Sequence, residues 1–225
     1  MDGNPNGGIF FSTSRGRAPR IAPTAYTIAE IFASLQGEGF YTGHRAVFVR
    51  LAGCSVTRCH IRKDCDTDYG KRETLTAPQI LARVRAFCRD GIVVLTGGEP
   101  TDRDLTELVH TLKEAHYRVH LETSGVRLVR PGLFDWITVS PKTRDYVQRR
   151  GDVLKVVLRP GWGWAALAEI DQGTVFSFRY VQPLTDSSSG NPVNLNEVIA
   201  LVRSADNAGG RWALSTQAHR QWGLP

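Results

Sequence analysis

The sequence predicts an α/β barrel with mostly parallel strands, and three observations carry that reading. Short apolar, β-branched runs recur along the chain, helical stretches separate several of them, and polar or Gly-rich turns follow the strands. In order, the strands are AVFVRLA (46–52), IVVLT (92–96), RVHLE (118–122), WITVS (136–140), VLKVVL (153–158), TVFSFRYVQ (174–182) and RWALS (211–215). Apolar residues at helical spacing fill TAPQILARVRAFCRD (76–90), DRDLTELVHTLKEAH (102–116) and NLNEVIALVRSA (194–205), with Thr76, Asp102 and Asn194 as N-caps. Alternation of strand and helix favours parallel pairing, because a parallel neighbour needs a crossover to return the chain. RPGWGWAAL (159–167) follows a strand but holds only a GxG and two Trp, so it reads as a turn with packed aromatics.

The strand-end turns are TGGEP (96–100), ETSG (122–125), SPK (140–142), QPL (182–184) and STQAH (215–219). Any one alone is an ordinary turn, since Gly, Pro and Ser are turn residues. Five in succession, each with a ligand-capable side chain or bare backbone amides, read as the walls of one site, because a parallel barrel delivers such loops to one face.

At 225 residues and 41% hydrophobic content, one sizeable core is expected, with residues 26–225 as a single domain and 1–25 as a mobile lead-in rich in Gly, Pro, Ser and Arg. The longest apolar run of that lead-in, IFF, is too short for a signal-peptide core, and no run approaches the roughly 18 apolar residues of a spanning helix. No membrane partner is expected. The net charge of +6 rests on basic residues scattered among acids, 23 of the 28 being Arg, which reads as compositional bias rather than a nucleic-acid footprint. Four cysteines, three of them clustered, do not form the spread framework of a secreted scaffold, so a reducing, cytoplasmic compartment is expected.

The clustered cysteines are Cys54, Cys59 and Cys65. Three thiolates in one loop bind zinc with His60 as a fourth ligand, or hold three irons of a 4Fe-4S cluster and leave the fourth iron open. Structural zinc usually takes paired ligands, and His60 abuts Cys59 too closely to chelate the same ion comfortably, so three ligands and an open iron fit better. Cys88 lies in an apolar helix and reads as a structural cysteine. His120-Leu121-Glu122 matches the HxE of zinc deaminases, but no PCxxC follows, and that reading fails.

These motifs, in order, resemble the 7-carboxy-7-deazaguanine synthases, a family of radical S-adenosylmethionine (SAM) enzymes. EIFASLQGEGFYTG (30–43) is similar to the family's substrate-binding segment, and FVRLAGC (48–54) to its strand into the cluster loop. Cys54, Cys59 and Cys65 with Asp66-Thr67, then TGGEP, ETSG, SPK, QPL and STQAHRQWGLP, complete a likeness running from about Ala29 to Pro225. One departure stands out: the family's usual C-x3-C-x2-C is here C-x4-C-x5-C, with Asp64 where an aromatic residue usually precedes the last cysteine.

The resemblance implies a partial, modified (β/α)6-type barrel of the radical SAM kind. It implies a 4Fe-4S cluster on the three cysteines, with the open iron taking SAM. Gly97, Gly98 and Glu99 are then expected at its methionine end, and Glu122, Ser124, Ser140, Pro141, Lys142 and Gln182 around its carboxylate, ribose and adenine. The implied substrate, 6-carboxy-5,6,7,8-tetrahydropterin, would meet Leu35, Gln36, Gly37 and Glu38 along its ring, Arg50 at its carboxylate and Thr96 before the GGE turn. Gln217, His219 and Pro225 would close the pocket, and Thr67, with Asp68 beside it, would hold Mg²⁺. The product would be 7-carboxy-7-deazaguanine, formed with loss of ammonia in 7-deazapurine (queuosine-type) biosynthesis. A homodimer and an electron donor such as flavodoxin or ferredoxin are family expectations. Two rivals share parts of the pattern: another radical SAM reaction, such as glycyl-radical activation, and a zinc-stabilised basic module binding nucleic acid.

Overall fold

Alternation along β2 (Arg45–Leu51) sets the two faces of the sheet: Val47, Val49 and Leu51 join the core beneath the helices, while Ala46 and Phe48 face the opposite, concave side. The computed structural model describes residues 24–61, 63, 65, 70, 72–204, 206, 207 and 211–225. Most of the expected lead-in, and Thr67 with its neighbours Asp66 and Asp68, lie outside the described residues.

Besides β2, the strands are β1 (Ala25–Leu35), β3 (Glu73–Thr76), β4 (Gly91–Gly97), β5 (Tyr117–Thr123), β6 (Trp136–Val139), β7 (Arg150–Leu158), β8 (Val175–Pro183) and β9 (Ala213–Leu214). The helices are α1 (Ala77–Phe87), α2 (Thr106–Glu114), α3 (Trp164–Asp171), α4 (Leu195–Arg203) and α5 (Ala218–Gln221). One open sheet has the order β3-β1-β2-β4-β5-β6-β7-β8-β9. From β2 through β9 neighbouring strands pair parallel, and only β1 runs antiparallel, to β2 and to β3. The expected α/β architecture is therefore found as a partial barrel.

Two helix-side cores hold it together. Val47, Val93, Leu95, Val119 and Leu121 pack against Ile80 and Val84 of α1 and Leu108, Val109 and Leu112 of α2. Leu154, Val156 and Leu158 pack against Leu167 and Ile170 of α3 and Val198 of α4. The concave side is floored by a 3₁₀ turn, Gly39–Tyr41, whose Phe40 ring lies 4.5 Å from Phe178 and whose Tyr41 ring lies 4.7 Å from His120.

Several local expectations are corrected. The strands β1 and β3 were not expected; Tyr26 and Ile28 of β1 bury against the first core, and Ala25 pairs with Thr76. Residues 164–167, expected as turn, open the helix α3: only Arg159–Gly163 turns, and Trp164 is anchored by donating its indole N–H to Ser204 at 2.7 Å. Thr76 and Asn194 stand at the N-caps of α1 and α4, but Asp102 caps nothing. Asp102 instead accepts from the Ser55 N–H and hydroxyl at 2.8 and 2.6 Å, tying the turn after β4 to the cysteine loop, and α2 starts four residues later. The connections from β5 to β6 and from β6 to β7 carry no helix. No helix among the described residues is long and apolar enough to cross a membrane.

Candidate active site

Parallel strands that alternate apolar residues toward the helices leave their other residues to the concave face, and near the strand ends these are polar: Arg50, Thr96, Glu122, Thr138, Lys155 and Gln182. They line a cavity of about 730 Å³, within the range of small-molecule and cofactor sites. Cys54, Cys59 and Cys65 all line it, and none forms a disulfide.

Backbone bonds place the cysteine loop against the GGE turn. Gly98 N–H donates to Leu51 O at 3.0 Å and Glu99 N–H to Gly53 O at 3.1 Å. The contact is too close for any side chain: a Cβ on Gly98 would stand 1.8 Å from Gly53 O, and one on Gly97, at φ +117, would stand 2.3 Å from Leu51 O. Bare backbone thus faces the cavity beside the thiols. Burial pushes the Cys54 thiol above its ordinary pKa, and the nearby Glu99 and Asp102 carboxylates add to the effect. His60 does not join the thiols. Its ring nitrogens lie 3.0 and 3.2 Å from the carbonyls of Lys142 and Val157, so the imidazole pins the loop to the ends of β6 and β7.

The remaining wall comes from chain segments far apart in sequence. Leu35, Gln36, Gly37 and Glu38 enter above the floor, where the Gln36 side chain donates to Glu122 at 2.9 Å and accepts from the Glu38 N–H at 3.1 Å. Gly37 sits against His219, whose backbone N would lie 2.7 Å from an added Cβ, and Ala218 N–H donates to Gly37 O at 3.0 Å. Gln217, His219 and Pro225 all line the cavity. Ser124, Ser140, Lys142 and Gln182 line it too, the Lys142 ammonium donating to Ser140 Oγ at 2.8 Å and Gln182 accepting from Ser215 Oγ at 2.8 Å. Arg50 lines it with its side chain 11% exposed, its Nε donating to Glu30 at 2.6 Å and its guanidinium over the Phe32 ring.

Two of the expected residues stand elsewhere. Glu99 is 2% exposed beneath the turn, and its carboxylate accepts from Thr101 N–H and Oγ at 3.0 and 2.6 Å, from Thr123 Oγ at 2.6 Å and from the Ser124 N–H and hydroxyl. A buried carboxylate must be compensated by donors, and here they come from the protein. Glu99 therefore ties the ends of β4 and β5 together rather than presenting its carboxylate to the cavity. Glu99→Gln is expected to cost about 2–3 kcal/mol, because an amide N–H₂ would face those donors; a thermal melt reads this as a Tm lower by roughly 4–12 °C. Pro141 is buried behind the wall.

Glu30, Arg72, Thr138, Lys155 and Arg220 also line the cavity and are not among the residues the sequence analysis placed there. Lys155, 5% exposed, forms an ion pair with Glu38; its signal was the single charge at an inward position of VLKVVL. Glu30 holds Arg50; it opens the segment EIFASLQGEGFYTG, to which the resemblance assigns no role at that position.

Residues 57–160 match the model of the Radical SAM superfamily. The 7-carboxy-7-deazaguanine synthase of Synechocystis sp. is 34% identical over 221 residues, covering 94% of this chain and 99% of the relative. The chain belongs to the 7-carboxy-7-deazaguanine synthase family. The synthase of Neisseria meningitidis serogroup B is 32% identical over 205 residues, covering 88% of this chain and 94% of that protein. Among solved structures, that of QueE from Escherichia coli superimposes with a TM-score of 0.64 at 27% identity, over 87% of this chain and 95% of that one. Family membership makes the chain a radical SAM enzyme, which implies a 4Fe-4S cluster and SAM. Three thiols on one cavity are the donor type such a cluster takes, and the missing Cβ atoms of Gly97 and Gly98 let the GGE turn close onto Leu51 and Gly53, just ahead of Cys54. As the described residues stand, no three His, Cys, Asp or Glu side chains converge as a metal site.

Proposed function

We propose that this protein converts 6-carboxy-5,6,7,8-tetrahydropterin to 7-carboxy-7-deazaguanine and ammonia in 7-deazapurine biosynthesis. One observation carries the proposal: the three thiols, the bare Gly97–Gly98 backbone and the segment Leu35–Glu38 wall a single cavity, in a chain similar over nearly its whole length to synthases of that name. When bound, the cluster and SAM supply a 5′-deoxyadenosyl radical for hydrogen abstraction.

Cys54, Cys59 and Cys65 hold the cluster in this reading. Gly97 and Gly98 offer backbone free of side chains to the methionine end of SAM, while Glu122, Ser124, Ser140, Lys142 and Gln182 bind its remaining groups. Gln36 and Glu38 hydrogen-bond the pterin ring, and Arg50 takes the substrate carboxylate, its guanidinium kept in place by Glu30. Gln217, His219 and Pro225 shut out water on the opposite side. Thr67 is proposed as the Mg²⁺ ligand; it lies outside the described residues, and the proposal rests on the family resemblance alone. A homodimer, a cytoplasmic location and a flavodoxin- or ferredoxin-type donor have that same support.

The test is anaerobic cluster reconstitution, followed by incubation with SAM, Mg²⁺, a reductant and the carboxytetrahydropterin, with chromatographic detection of products. Formation of 7-carboxy-7-deazaguanine is expected. Formation of 5′-deoxyadenosine alone would leave the radical class standing and remove the substrate. Arg50→Ala is expected to raise KM roughly 30- to 1,000-fold, since loss of one charged partner costs about 2–4 kcal/mol, while the visible absorbance of the cluster stays unchanged.

A further inference from the structure

Lys155 is the most deeply buried ammonium of the cavity wall, with its side chain 6% exposed, and it meets Glu38, whose side chain is 13% exposed. A buried ion pair is a weak source of stability, because desolvating both ions offsets their attraction, and apolar residues of similar volume often do better. This pair joins two distant parts of the chain, the substrate segment and the middle of β7, and both residues line the cavity. Gln217 adds a third part by donating its side-chain N–H to Glu38 Oε1 at 2.7 Å. A carboxylate has about four lone-pair sites, so the two donors, one on each oxygen, do not exhaust it.

We propose that Lys155 is a positioning residue of the substrate site, holding Glu38 as an ionised, oriented acceptor for the paired N–H donors of an amino-pyrimidinone ring edge. The inference rests on the pterin reading above and adds the residue that makes its acceptor work. An ionised carboxylate pairs with two adjacent N–H donors, whereas a protonated one presents a hydroxyl to one of them and loses that bond. Burial by itself would raise the Glu38 carboxyl, but the Lys155 ammonium and the hydrogen bonds from Lys155 and Gln217 hold it at about 2. The other titratable groups around it are His219 from α5, His120 and Glu122 from β5, and Tyr41 from the floor. Of these His219 also lowers the Glu38 carboxyl, and burial keeps His120 neutral with a pKa of about 4.

With Lys155 in place Glu38 stays ionised at every pH above about 2, so it gives binding no pH dependence near neutrality. With Lys155→Met the burial remains and the cation is gone, so the carboxyl rises above its ordinary value and affinity falls about tenfold per pH unit below the new pKa.

The experiment is calorimetric titration of the reconstituted protein with 6-carboxytetrahydropterin, in the presence of SAM and without reductant, from ~pH 5.5 to ~pH 8.5. Lys155→Met is expected to bind progressively more weakly than the parent toward acid, Lys155→Arg to follow the parent, and the Lys155→Met/Glu38→Gln double variant to lose the added pH dependence. A Lys155→Met profile parallel to the parent's, whether equal or uniformly weaker, would overturn the positioning role. Should Lys155→Met fail to keep its cluster, Lys155→Gln makes the same comparison with a polar chain of similar reach. A parent protein that does not bind the pterin at any pH would instead remove the substrate reading on which the inference stands.

Discussion

Gly98→Ala is expected to abolish productive SAM cleavage, lowering 5′-deoxyadenosine formation by roughly 100-fold or more. The cause is steric and local. The added methyl would stand 1.8 Å from Gly53 O, 2.5 Å from Gly53 C and 3.0 Å from Cys54 Cβ. None of these atoms is the far end of a flexible side chain, so relief requires the backbone of the cysteine loop to move. That movement breaks the Gly98–Leu51 and Glu99–Gly53 hydrogen bonds and carries Cys54 with it. Iron and sulfide content after anaerobic reconstitution, together with the rate of 5′-deoxyadenosine release, are the measurements. A Gly98→Ala protein with full cluster and parental cleavage would show that the loop does not depend on this contact. Gly163 is the control, because a Cβ there meets no atom within 4 Å.

Alanine at Cys54, Cys59 or Cys65 is expected to remove activity to background, and at Cys88 to leave it. Each of the first three lines the cavity, and among the described residues no other cysteine does, so a lost thiolate has no sulfur to replace it. Cys88 lies at the C-cap of α1, packed against the first core, where its carbonyl accepts from the Tyr117 hydroxyl at 2.6 Å. Removing its sulfur leaves that carbonyl bond in place. Iron per chain and the visible absorption of the reconstituted variants separate the two cases; a cluster retained in Cys59→Ala, or lost in Cys88→Ala, would contradict the assignment.

Much of this site was legible because its polar groups sit where strands end. TGGEP, ETSG, SPK, QPL and STQAH stood out as interruptions after apolar runs, and each puts at least one residue on the cavity wall. Glu99, expected at the methionine end of SAM, stands differently. A carboxylate in a polar turn looks like a ligand, and only the placement of Thr101, Thr123 and Ser124 turns it into an internal tie. The strands β1 and β3 are not evident from pattern because the four residues of ETLT carry little periodicity and TIAEIFASL fits helix and strand alike, so their pairing decides the matter. The helix α3 escaped because WAALAEID is eight residues long behind a Gly-rich turn.

By itself the sequence determined the α/β class, the three-cysteine loop and the motifs that mark the family, since these depend on residue type and spacing. The tertiary structure alone decided which of those residues share a wall. Gln36 meets Glu122 across 86 positions, Lys155 meets Glu38 across 117, and Gln217 meets Glu38 across 179. Such pairings follow from strand order and from the return of the chain's last residues to Gly37, which no local pattern encodes. The stretched cysteine spacing divides in the same way: its length is written in the chain, but the backbone contacts of Gly97 and Gly98 place the loop's first thiol.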